Sequence, residues 1–142
     1  MPVIIDSAAR NAAVDAITAR IDSGSGPGVL RIYSGSQPAG PGSAPTGTLL
    51  AEFTLSDPSF AAASGGSAAL DVTPAVNDPL ANNSGTAGWA RFLTSTEAAG
   101  TGLGVMDGGV GTSGQMINLD STTITSGQPV TINSGSITMP AS

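Results

Sequence analysis

The sequence predicts a mainly β protein: a jelly-roll-like β-sandwich of about eight strands preceded by one N-terminal α-helix. Three observations predict it. Strict apolar/polar alternation runs through VLRIY (29–33) and LLAEFTL (49–55), the mark of half-buried strands that need a second layer. Turn-forming residues recur roughly every 8–12 positions after Gly24, the cadence of a sandwich or barrel. An Ala-rich stretch without Gly or Pro precedes both. The helix is expected over about 7–22 and the sandwich over about 28–140 of one domain spanning 1–142.

Val3–Ile5 is a short apolar lead. Asp6 or Ser7 can cap the helix that follows, and Val14, Ile17 and Ile21 form its apolar stripe, with Ala13 beside them. Ser23-Gly24 and Pro27 stop it. The narrow stripe predicts packing on the chain's own sheet; the alternative is an arm gripping a neighbour. In the first strand Leu30 and Ile32 face inward. In the second Leu49, Ala51, Phe53 and Leu55 do so, while Glu52 and Thr54 face out. Between them lies SGSQPAGPGSAPTG, a long soft loop. Ala68, Leu70 and Val72 alternate in a third strand. Asn82-Asn83-Ser84 fits a glycosylation acceptor but reads as a turn.

Thr86–Leu93 is the next strong strand, with Trp89, Arg91 and Leu93 on one face and Ala90 and Phe92 on the other. Asp107-Gly108-Gly109 is expected to turn a hairpin. Gln115–Leu119 places Ile117 and Leu119 on one face. In the last segment Val130 and Ile132 fall on even positions, Ile137 and Met139 on odd ones. One strand can bury all four only if its parity slips once, so a bulge near Ser134-Gly135 is expected; a tight hairpin there is the alternative.

The 142 residues are enough for a real core. Only 10% are charged, the net charge is -6, and lysine is absent. The four cations are Arg10, Arg20, Arg31 and Arg91. That distribution excludes direct nucleic-acid binding, which needs clustered basic residues. A surface of Ser, Thr, Gly and Ala loses little when covered, because few charges must be desolvated. There is no cysteine and no histidine. The N-terminus lacks the pattern of a signal peptide, and no apolar run approaches a membrane span. The expectation is synthesis and use in a cytoplasm.

The chemistry-bearing motifs are weak. Gly109-Val110-Gly111-Thr112-Ser113-Gly114 matches G-x-G-x-x-G, but strand-like QMINL follows where a helix is required, so turn formation explains the glycines. A Walker loop needs a lysine, and a histidine-dependent triad a histidine. No G-x-S-x-G elbow and no D-x-D-x-D-G loop occurs. Glu52, Asp57, Asp71, Asp78, Glu97, Asp107 and Asp120 read as outward strand or turn positions. No enzyme, cofactor or metal is expected.

Trp89 is expected in the core, facing another layer; the alternative is an exposed aromatic beside Arg91, a contact hot spot. The ends, Met1–Ile5 and Ser136–Ser142, could add a strand to a partner's sheet edge. The candidate partner-interface residues are therefore Val3, Ile4, Ile5, Trp89, Arg91, Ile137 and Met139.

The order IDSAARNAAVDAITARIDSG, GPGVLRIYSGSQP, GTLLAEFTLSDPSF, GTAGWARFL and VTINSGSITMP resembles small proteins encoded beside the major capsid protein of tailed bacteriophages. It resembles most the capsid cement, or decoration, proteins, over nearly the full chain. The resemblance implies a jelly-roll-like virion protein that binds the outside of an icosahedral capsid, often as a dimer. Its implied partners are the major capsid protein and a second copy, and its implied place is the capsid surface after synthesis in the host cytoplasm. It carries over no site residue. A tail- or fibre-associated phage β-domain, or a carbohydrate-binding module using Trp89, are the alternatives.

Overall fold

The fold is described from a computed structural model covering residues 1–142. Asp6 sets where the helix begins: its carboxylate accepts from the Ala8 and Ala9 amides and caps α1 (Ser7–Ile21). Val14, Thr18 and Ile21 are buried, and Ile17 packs against the core. The helix lies on its own chain. Asp15 accepts from the Ala63 amide, Asn11 from the Gly66 amide, and Arg10 donates to the Met139 carbonyl.

Nine strands follow: β1 (Val29–Ser34), β2 (Leu49–Thr54), β3 (Ser67–Ala69), β4 (Asn77–Asp78), β5 (Gly85–Leu93), β6 (Met106–Gly111), β7 (Ile117–Leu119), β8 (Thr123–Ile124) and β9 (Val130–Thr138). A short helix, α2 (Ser95–Ala99), sits between β5 and β6. The hydrogen-bonded order is β2-β1-β5-β6-β7-β9-β3, with β4 also on β9 and β8 on β5. Every pairing is antiparallel except β6 with β7. The protein is thus mainly β with an N-terminal helix, as expected, but its strands form one curled mixed sheet in place of two stacked ones. Asp107-Gly108-Gly109 does not turn: β6 runs straight through it, and the bends come after Gly111, from which β7 emerges parallel to β6.

Three bulges shape the curl. Leu50 is the extra residue of β2, because Ile32 opposes Ala51 and Tyr33 opposes Leu49. Leu50 and Ala51 are therefore both fully buried, and Leu49, expected inward, is only half-buried. Gly88 is the extra residue of β5, between the pairs Tyr33–Trp89 and Ser34–Ala87. A side chain there would strike the Gly35 carbonyl oxygen at 2.1 Å, so only glycine fits. In β9 the parity slip falls at Asn133, since Ser134 opposes Asn118 and Ile132 opposes Leu119. One bulged strand, rather than a hairpin, buries both Ile132 and Ile137.

Two sheet edges are closed. The Asp78 carboxylate accepts from the Glu52 amide, and the Asn82 amide donates to the Leu50 carbonyl, covering β2. Residues 60–64 bridge to 67–70 and cover β3. Unpaired edges invite aggregation, and this covering suppresses it. Inside the curl, 21 buried residues form one core, from Val14 and Ile21 of α1 to Ile132 and Ile137 of β9.

Candidate functional site

The outer face of β1 and β5 carries a row of charges. Glu52, Arg31, Arg91 and Asp107 are successive cross-strand neighbours on β2, β1, β5 and β6. The two arginines stand directly opposite each other, an unfavourable pairing that the flanking carboxylates offset. Arg31 Nε donates to Glu52 Oε2 at 2.6 Å. Arg91 and Asp107 form a two-pronged pair at 2.7 and 2.9 Å. Burial pulls the Arg31 pKa down, but the Glu52 carboxylate outweighs it and the net shift is upward.

Arg91 is fully buried. All five of its N–H donors are used: two on Asp107, and the rest on the carbonyls of Gly40, Ser43 and Gly102. It thereby fastens two loops, 35–48 and 100–105, over the sheet. Those loops also bond to each other, Gly104 N–H to Pro41 C=O. Gly104 lies so close that an added side chain would meet Arg91 Cγ at 2.6 Å. Beside the guanidinium, Trp89 stacks on Tyr33 with ring centroids 4.6 Å apart, and Arg91 Cζ lies 5.2 Å from the indole.

Trp89 is buried, as expected, at 1% exposure; as interface candidates Trp89 and Arg91 are corrected, because neither is exposed. Nor do Asp78 and Asp107 face solvent, because one caps the β2 edge and the other neutralises Arg91. Ile137 is buried in the core, and Met139 packs against it half-buried, its amide on the Gly66 carbonyl. The outer-face cluster was only partly legible. Parity put Trp89, Arg91 and Leu93 on one face, but nothing local says that a Gly/Pro/Ser loop folds over Arg91.

What remains on the surface is the lead. Val3 and Ile4 are 77% and 76% exposed. Together with Met1 they are three of the four large apolar side chains the fold leaves exposed, Leu80 being the other. Ile5 is half-buried and pins the segment, its N–H donating to the Ala141 carbonyl at 2.7 Å. Residues 1–4 make no backbone hydrogen bond. Of the seven interface candidates, the structure therefore leaves Val3 and Ile4 fully available, Ile5 and Met139 in part, and Trp89, Arg91 and Ile137 enclosed.

A cleft of about 400 Å³ opens beside Met106, Met116 and Ile137. A second of about 350 Å³ is lined by Phe60, Leu70 and Val72, and a polar hollow of about 230 Å³ by Asp120, Thr123 and Gln128. No group of three His, Cys, Asp or Glu side chains is placed to hold a metal ion. No helix is long and apolar enough to cross a membrane. No protein-family model, curated protein or solved structure matches the chain.

Proposed function

We propose that this chain is a structural virion protein, a cement that binds the outside of an icosahedral phage capsid and ties neighbouring major capsid subunits together. The observation that carries the reading is the contrast between internally paired cations and an exposed apolar lead. Three of the four arginines are paired with carboxylates of the same chain, and Arg91 is out of reach of any partner. With only 10% charged residues the outer surface is cheap to desolvate, while Val3 and Ile4 stand out from it. The wording of the strands and turns resembles capsid cement proteins, and in this reading the curled sheet does the work of the jelly roll. The role is non-enzymatic, needs no cofactor, and acts through many weakly bound copies at once. A carbohydrate-binding role for Trp89 is disfavoured, because the indole is stacked on Tyr33, is buried and presents no face to a sugar.

Copy number tests the proposal. Quantitative mass spectrometry of purified particles should find this chain in hundreds of copies, in fixed ratio to the major capsid protein. A handful of copies per particle would move it to the tail. Its absence from particles would sink both readings.

A further inference from the structure

The sheet has a notch between β6 and β9. β7 lies between those two strands, yet it pairs with β6 only at Val110 and Gly111 and with β9 only from Ile132 to Gly135. On one side, residues 106–109 of β6 pair with β5 alone. On the other, the Met139 amide donates to the Gly66 carbonyl, and the Leu70 amide to the Gly135 carbonyl. That alternation turns residues 135, 137 and 139 toward β3, and Ser136 and Thr138 away from it. The Ser136 amide finds the Met116 carbonyl, and no strand runs alongside β9 beyond it. The two open edges line the cleft of about 400 Å³ whose apolar walls are Met106, Met116 and Ile137. Met116 closes one end, against Gly108 and Ser136; beyond it, strands that flank a third stand about 9.6 Å apart, twice the usual spacing, so the gap suits one extended segment.

We infer that the notch receives Pro2–Ile4 of a second copy, and that two copies exchange these segments reciprocally. Val3 and Ile4 are β-branched, exposed and without backbone partners, which is what an added strand requires. Pro2 lacks an N–H and suits the first position of such a strand. The chain's own lead is on the wrong side. If the β9 alternation continues to Ala141, its bond to Ile5 lies on the β3 edge, across β9 from the notch. The base of the lead and the acceptor edge are nevertheless close along the chain, at Ala141 and Thr138. A two-fold axis beside the end of β9 brings each lead to the other copy's notch, within the roughly 13 Å that four extended residues span. One donor and one acceptor per chain close the pair. The flexible methionines give the cleft walls that adapt to the entering side chains.

The inference concerns purified protein and stands or falls without a capsid. Sedimentation should give twice the 13.7 kDa chain mass. Val3→Asp with Ile4→Asp should reduce it to the single-chain mass while the melting temperature of the fold is retained, because neither residue belongs to the core. The natural chain has no cysteine, so any disulfide reports the engineered pair. Ile4→Cys in one tagged chain and Thr138→Cys in a differently tagged one should cross-link between tags on oxidation. Ser136→Cys, also exposed, is the second acceptor variant. A single-chain mass for the natural protein, a dimer insensitive to the aspartate substitutions, or no cross-link between tags at either acceptor would overturn it.

Discussion

The two faces of β5 are closed by different means. Inward, Ala90 and Phe92 meet Leu30, Ile32 and Phe53 in a core held by apolar contact. Outward, Trp89 is stacked on Tyr33 and Arg91 is covered by loops that have little apolar surface of their own, and the fastening is a guanidinium with every donor used. Apolar contact is non-directional and tolerates local repacking. A buried charge does not, since removing one partner strands the other. In a chain with only 10% charged residues, the outer face is where a single substitution has most to break.

The largest effect should follow Arg91→Ala. It leaves Asp107 buried and unpaired and the Ser43 and Gly102 carbonyls without a donor, while Gly40 keeps the Ser43 N–H, a loss of about 3–5 kcal/mol in urea unfolding. Limited proteolysis should then cut within 35–48 and 100–105 before the core unfolds. Arg91→Met with Asp107→Leu should recover part of the loss, by removing both charges, but not all of it, because the Ser43 and Gly102 carbonyls stay unmet. A shift under about 1 kcal/mol for the single variant would mean that the loops hold themselves.

On the inner face, Leu30→Ala should cost about 2–5 kcal/mol through lost burial and the cavity left. The informative readout is again proteolysis: the loops should stay closed until global unfolding. Early loop cleavage in this variant would erase the distinction between the two faces. Smaller again, Tyr33→Leu keeps an apolar side chain but removes the stack on Trp89, worth about 0.5–1.5 kcal/mol beyond area. Near-ultraviolet circular dichroism of the single tryptophan should change with it.

The inner face was largely legible in the sequence and the outer one was not. Alternation located β1, β2 and β5, and the clash of parity between Ile132 and Ile137 announced a bulge one or two residues from where it lies. The cap at Asp6 and the end of α1 were local signals too. By contrast, the row Glu52–Arg31–Arg91–Asp107 joins residues on four strands, and nothing local linked them; Asp107 even read as part of a turn. The parallel pairing of β6 with β7 depends on the crossing of residues 112–116, where Gly114 signals a turn but not its destination. One missed element did have a local signature: Thr94 and Glu97 form a capping box, each side chain bonded to the other's backbone amide, and it marks the start of α2.

That box carries the smallest of the expected effects. Burial alone would raise the Glu97 pKa, but the Thr94 amide and the Arg20 guanidinium hold it below the ordinary value of 4.5. A carboxyl whose pKa is depressed on folding adds stability above its unfolded pKa and loses it as pH falls through the folded value. The natural protein should therefore lose stability faster than Glu97→Gln as pH drops below about 4.5, and the gap between them should be widest near neutrality. Arg20→Gln should remove the ion-pair share of that gap but leave the amide share. Arg20 is half exposed, so screening keeps this share small, and added salt should shrink it first. Neither variant should expose loops 35–48 and 100–105 to protease, because the ion pair at α2 lies outside the Arg91 fastening. If acid titration separated the loops from the core in Glu97→Gln as Arg91→Ala does, the outer face would be one coupled network rather than a single bolt.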